Sequence, residues 1–351
     1  MYLCGQNRII MKLRLLPILS ALVALSACRP KTVSDAADTP VFPPVVVAYA
    51  SAGGGVLPDV EMVTHVNMAF GWVNETFDGV EVRDTLFLRR LVGLKQQKGD
   101  LKVLLSIGGW TSGGFSEMCS TAATRTSFVK SCCQWVDRYH LDGIDLDWEY
   151  PSSDEAGITA SPDDIDHFTL LIHELRQTLD SGKLITLATI ADALYIDFPA
   201  IRNDVDFVNV MAYDVARPPF HHSALRRCSL AGRITVEEAL QAHVDAGMPK
   251  EKIVLGVPFY GHGILKISDF IDYLDIEHLD GFTRIWNDTA EVPCFLNEEG
   301  TIVLCYDDSL SIGRKCDYVL SQGFRGMMYW ETKCDNPQRD LAKTIAAHVL
   351  R

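Results

Sequence analysis

Apart from one short leader, the chain carries no apolar run near the roughly 20 residues that a membrane-crossing helix requires. It has no Cys-x-x-Cys pair among its 10 cysteines, which argues against a zinc knuckle. No glycine-rich dinucleotide loop follows the first strand-like run, and Gly53-Gly54-Gly55 reads as a turn, so a doubly wound nucleotide-binding sheet is disfavoured. Positive charge is the scarcer sign: 32 Lys and Arg against 46 Asp and Glu give a formal charge of −14. Setting aside Arg8, Lys12 and Arg14 of an acid-free leader brings that −14 to −17, which disfavours nucleic acid and other polyanions as partners. There is no internal repeat and no low-complexity run after the N-terminal region. What is present is a 351-residue chain, 48% hydrophobic and 22% charged, the composition of a globular protein with a large core.

Residues 11–28 read MKLRLLPILSALVALSAC, a basic start, a short apolar core and a small-residue end. This predicts a secretion signal over residues 1–27, with residues 1–10 preceding the true start at Met11. Leu25-Ser26-Ala27-Cys28 resembles the lipobox of bacterial lipoproteins, which implies lipidation of Cys28. Arg29 is not the Asp associated with inner-membrane retention, so the expected location is the cell envelope at the outer membrane, or the exterior if Cys28 is unmodified. Residues 28–44, polar and proline-containing, read as a tether, and residues 45–351 as the folded body. Membrane contact is expected through the anchor alone, and a monomer is expected. Of the eight cysteines beyond Cys28, Cys132 and Cys133 point about 100° apart on a helix and should not pair, whereas Cys294 and Cys305 form the most plausible local bridge.

From residue 45, eight short apolar or alternating runs read as strands: 45–51, 65–73, 102–110, 143–150, 184–191, 207–214, 253–261 and 326–331. Helical patterns lie between them, including Leu86–Gln97, Ser127–Tyr139, Asp164–Leu179, Val236–Ala246 and Ser309–Leu320, with Leu341–Leu350 closing the chain. Eight βα units over this length predict an α/β fold, a single (β/α)₈ TIM barrel with a short insertion between strands seven and eight.

The densest chemistry is Asp142-Gly143-Ile144-Asp145-Leu146-Asp147-Trp148-Glu149-Tyr150-Pro151. Alternation along a strand puts Asp145, Asp147 and Glu149 on one face, and Ile144, Leu146 and Trp148 on the other. In a barrel the acids then look inward, Glu149 is nearest the C-terminal rim, and Trp148 packs on a helix. Neighbouring acids about 7 Å apart resist joint ionisation, so at least one should keep the proton that a leaving group needs. A solvated acidic face fits poorly with the flanking Ile, Leu and Trp. A calcium loop also fails, because Tyr150 replaces the required glycine and Ala156 the bidentate Glu. No metal and no cofactor are assigned, and the paired His221 and His222 read as solvated.

Asp142, Asp145, Asp147 and Glu149 match the D-x-x-D-x-D-x-E strand of glycoside hydrolase family 18, which the chain resembles. Ser106-Ile107-Gly108-Gly109 is similar to that family's S-x-G-G, Met211-Ala212-Tyr213-Asp214 to its M-x-Y-D, and Met328-Tyr329-Trp330-Glu331 to its eighth strand. The resemblance implies cleavage beside N-acetylglucosamine, with Glu149 as acid/base and the substrate's own acetamido oxygen as nucleophile. It also implies that Asp147 orients the acetamido N–H, that Asp145 shares charge with Asp147, and that Tyr213 and Asp214 hold the sugar. Tyr49 and Ser106 would support the deeper acid, and Trp330 would floor the site near Met211. Trp110 is a rim candidate for stacking on a sugar, ahead of Trp72 and Trp286.

Two departures stand out. His262 occupies a place where many relatives carry Arg, and the 45 residues from Ile264 to Asp308 are too few for the family's full insertion, so a shallow groove is expected. Three functions remain open: a chitinase, an endo-β-N-acetylglucosaminidase acting on N-glycan cores, and a carbohydrate-binding lectin, the last disfavoured because Glu149 is present.

Overall fold

The computed structural model describes residues 42–351. The leader, Cys28 and the tether up to residue 41 lie outside the described residues. Eight parallel strands close on themselves: β1 (Val45–Ser51), β2 (His65–Val73), β3 (Lys102–Gly108), β4 (Gly143–Asp147), β5 (Leu184–Ile190), β6 (Phe207–Met211), β7 (Ile253–Pro258) and β8 (Gly326–Trp330), with β8 paired back to β1. Their Val, Ile and Leu runs are buried on both faces, as strands wrapped by helices must be. No helix among the described residues is long and apolar enough to cross a membrane.

The principal helices are α1 (Thr85–Gly93), α2 (Ala122–Tyr139), α3 (Asp164–Thr178), α4 (Val236–Asp245), α5 (Ser309–Ser321) and α6 (Asp340–Val349). α3 buries Phe168, Leu171, Ile172 and Leu175, an i, i+3, i+4, i+7 stripe. Burying each such side chain is worth about 2 kcal/mol. α4 begins with a capping box, in which the Thr235 hydroxyl accepts from Glu238 N–H and the Glu238 carboxylate accepts from Thr235 N–H. Two of the seven crossovers between these strands shrink to single turns, Val60–Met62 after β1 and Phe198–Ile201 after β5.

Between β7 and β8 the chain builds more than its length promised. Strands Tyr260–Gly263, Ile271–Asp272, Thr283–Asn287, Val292–Leu296 and Ile302–Cys305 form a five-stranded antiparallel sheet with one helical turn, Tyr273–Ile276. Short hairpins make this possible, because antiparallel neighbours need only tight turns between them. Cys294 and Cys305 stand opposite one another in this sheet, yet their thiols are free. The expected bridge is therefore corrected: the Cys305 thiol donates to the Phe220 carbonyl at 3.2 Å instead of turning to its neighbour. Cys132 and Cys133 are likewise unpaired, as their helical spacing requires.

Candidate active site

The acidic strand behaves as its alternation dictates. Ile144 and Leu146 are fully buried, while the Trp148 ring stacks on Phe115 at 5.2 Å and meets Phe168 of α3 edge-on. Asp145 is fully enclosed inside the barrel. Strand register puts Ser106, Asp145 and Thr186 side by side on β3, β4 and β5. Asp145 Oδ2 accepts from the Tyr49 hydroxyl at 2.8 Å and the Ser106 hydroxyl at 2.7 Å. Its Oδ1 accepts from the Thr186 hydroxyl at 2.5 Å and from Asn209 Nδ2 at 3.4 Å. Burial still raises the Asp145 pKa against the pull of these four donors.

Asp147 sits one pleat higher, and its Oδ1 is buried without a hydrogen-bond partner. Burial, then the charges of Glu149 and Asp145, push its pKa far above the ordinary carboxylate range. Gly108 lets β3 approach here: its φ is +125°, and an added Cβ would lie 2.0 Å from the Asp147 carbonyl oxygen. The Gly109 N–H donates to that same carbonyl at 2.9 Å. Glu149 lies two residues beyond the end of β4, a slightly shorter strand than the alternation suggested. Burial raises its pKa to about 7; the Tyr150 hydroxyl, which donates to Oε2 at 3.0 Å, opposes the shift, and the charge of Asp214 adds to it.

A cleft of about 490 Å³ opens over this strand. Tyr49, Trp110, Asp147, Glu149, Met211, Tyr213, Asp214 and Trp330 all line it. Asp145 and Ser106 lie beneath it, so Ser106 touches the buried acid and not the cleft. Trp330 stacks on Phe70 at 5.4 Å and leans on Tyr49 at 5.8 Å, which fixes the ring as a floor. Trp110 is 55% exposed at the rim, edge-on to Tyr150. Trp72 lies under the Arg83 guanidinium and Trp286 pairs within the small sheet, and neither lines the cleft. His262, Asp269 and Phe270 line it from the insertion, which thus supplies part of the cleft wall despite its short length.

Asp214 is the meeting point of groups that sequence alone did not connect. Its Oδ1 accepts from the Tyr260 hydroxyl at 2.7 Å and lies 2.6 Å from His262 Nε2 and 3.6 Å from His222 Nδ1. Burial works to raise the Asp214 pKa, but the two imidazoles outweigh it and hold the carboxyl well below its usual range. The expectation that His221 and His222 are solvated is corrected: both are buried, at 1% and 0% exposure. The adjacent Ser223 draws the loop inward by donating to Asp307 Oδ2 at 2.5 Å, and Asp307 Oδ1 accepts from fully buried Lys315 at 2.5 Å. Thr186, Asn209, His222 and Tyr260 are the site residues that sequence reading missed, for none sits in a distinctive motif.

The model of the family "Glycosyl hydrolases family 18" matches residues 45–335. Chitinase A1 of Niallia circulans is 36% identical over 298 residues, a match covering 71% of this chain and 42% of that relative's length. Chitinase B of Serratia marcescens is 25% identical over 388 residues, covering 81% of this chain and 76% of the relative. Among solved structures, a glycoside hydrolase family 18 N-acetylglucosaminidase from Paenibacillus barengoltzii has a TM-score of 0.79 at 35% identity, with 87% of this chain and 99% of that one covered. The chain therefore belongs to glycosyl hydrolases family 18, as a chitinase-like barrel hydrolase.

Proposed function

We propose that the protein hydrolyses β-1,4 linkages next to N-acetylglucosamine, in chitin or chito-oligosaccharides, by a retaining, substrate-assisted mechanism. The observation that carries the reading is the stack of three buried carboxyls whose outermost member, Glu149, opens on the cleft, where burial raises its pKa to about 7. A carboxylic acid so tuned can give its proton to the glycosidic oxygen at neutral pH and take one from water in the second half of the reaction.

In this reading the nucleophile is the substrate's 2-acetamido oxygen. Asp147, with a buried and unpartnered Oδ1, accepts the acetamido N–H and steadies the cyclic oxazolinium ion that forms. Asp145 is anchored by four donors and sets the field under Asp147, so the stack titrates as a set. Tyr213 gives its hydroxyl to the acetamido oxygen, Asp214 holds the sugar, and Trp330, beside Met211, forms the apolar floor. Trp110 offers a face to the next sugar at the rim. The carboxyls are occupied by these roles, which leaves the substrate to attack itself. The solved neighbour described as an N-acetylglucosaminidase, covered over 99% of its length, supports the N-acetylglucosamine requirement ahead of any particular polymer length.

Chito-oligosaccharides and a high-mannose glycoprotein, offered to the enzyme side by side, test the substrate. Release of chito-oligosaccharide fragments with the glycoprotein intact supports the reading. Cleavage of the glycoprotein's chitobiose core with chito-oligosaccharides untouched would replace it with the N-glycan alternative, and sugar binding without turnover of either would make the chain a lectin.

A further inference from the structure

Beside the reacting stack, the loop after β6 and the insertion bring three donors to one point. Asp214 Oδ1, one ring nitrogen of His222 and one of His262 all lie within 4.8 Å of one another. Two features set this apart from an ordinary ion pair. His222 is fully buried, and neither of its ring nitrogens has a hydrogen-bond partner, an expensive arrangement unless some other group binds there. The His222 and His262 rings meet edge to face with centroids 4.8 Å apart, so both imidazoles border the same small space under Asp214.

We propose that Asp214, His222 and His262 form a binding site for a divalent transition metal of the zinc class, with its open coordination position facing the substrate cleft. Two imidazole nitrogens and one carboxylate oxygen make the donor set of three-ligand zinc sites, which keep a fourth position for water or a bound molecule. Zinc bonds of about 2.1 Å in a tetrahedron place ligand atoms about 3.4 Å apart. The 3.6 Å between His222 Nδ1 and Asp214 Oδ1 already fits, and the 2.6 Å between His262 Nε2 and Asp214 Oδ1 needs to open by less than 1 Å. The outer contacts suit a metal as well. His262 Nδ1 lies 2.5 Å from the Asp269 carbonyl, so it carries the proton there and leaves Nε2 for the ion, while the Tyr260 hydroxyl orients the carboxylate. Imidazole donors select zinc, copper or nickel over magnesium or calcium. Asp214 and His262 line the cleft, so an ion bound there occupies sugar-binding space and slows hydrolysis.

Isothermal titration of the chelator-stripped protein with zinc chloride tests the site. One ion per chain at micromolar affinity or tighter is expected, with calcium chloride giving no binding. His222→Phe keeps an aromatic ring and removes nitrogens that make no hydrogen bond, at the cost of the 3.6 Å contact with Asp214, and should weaken zinc on the order of 100-fold or more. His222→Gln serves the same purpose should the phenylalanine variant not fold. Cobalt(II) in place of zinc should give the visible absorption of a tetrahedral nitrogen-oxygen site, lost in either variant. Absence of stoichiometric zinc binding, or equal affinity in the variants, overturns the site. The titration does not depend on turnover, so an enzyme that binds zinc without cleaving any sugar would count against the proposed reaction alone.

Discussion

Glu149 sits where burial and a nearby carboxylate both favour the protonated form, and this has consequences for rate and for stability. Glu149→Gln preserves shape and removes the proton, so turnover of an unactivated chito-oligosaccharide should fall by about 10²–10⁴-fold while sugar binding persists. A variant retaining half of the activity would remove Glu149 from the role of acid. In the wild type, kcat/KM should decline as pH rises through about 7, because the free enzyme then loses its acid. The stability effect has a definite sign. The folded-state pKa of about 7 lies above the ordinary 4.5, so the folded chain holds this proton more tightly than the unfolded chain does, and stability is lost as pH rises across that window. Glu149→Gln escapes the loss and should be more stable than wild type at pH 8 by about 3 kcal/mol at most, with little difference near pH 4, as thermal melts at the two pH values would reveal. At this scale Asp145, Asp147, Glu149 and Ser106 were legible because they lie in motifs or at a fixed strand parity, and Tyr49 through the family resemblance alone. Thr186 and Asn209 were not, since a Thr or Asn on a strand looks ordinary until register sets Thr186 level with Asp145.

Among the elements, all eight barrel strands and the principal helices follow the apolar periodicity closely, and the differences fall at the ends. β4 stops at Asp147 and β6 at Met211, short of the expected 150 and 214, since the chain turns from ladder to loop where the site begins. The insertion escaped sequence reading because residue count says little about hairpins, which build a sheet from segments of two to five residues. The loop carrying His221 and His222 escaped for another reason: polar residues read as solvated, and the groups that draw this loop inward, among them Asn287 at 3.0 Å from His221 and the buried Asp307–Lys315 ion pair behind Ser223, come from distant parts of the chain. That pair can be tested. Lys315→Met strands Asp307 without a counter-charge in a dry interior and should cost about 3–5 kcal/mol, measured by denaturant unfolding. A change within about 0.5 kcal/mol would mean that the pair does not hold the loop.

For the whole molecule, two regions carry separate proposals. The barrel provides the chemistry, and the N-terminal region outside the described residues carries the proposed attachment through Cys28. Cys28→Ser should release the protein from the membrane fraction or block its maturation, and wild-type protein recovered entirely soluble, without lipid mass at residue 28, would remove the anchor. The family was readable because the acids sit at period two on one strand and three further motifs recur on strands that close into the same barrel. The choice of substrate was not, because it depends on the loops at the rim.

In the proposed reaction the substrate supplies its own nucleophile, and this is decided by the rates of hydrolysis of a chito-oligosaccharide and of its fully deacetylated counterpart of the same length. With Asp147 and Tyr213 devoted to holding the acetamido group, the acetylated chain should be cleaved and the deacetylated one should be inert. Equal rates on the two would rule out the acetamido nucleophile and return Asp147 to the role of a direct nucleophile or base.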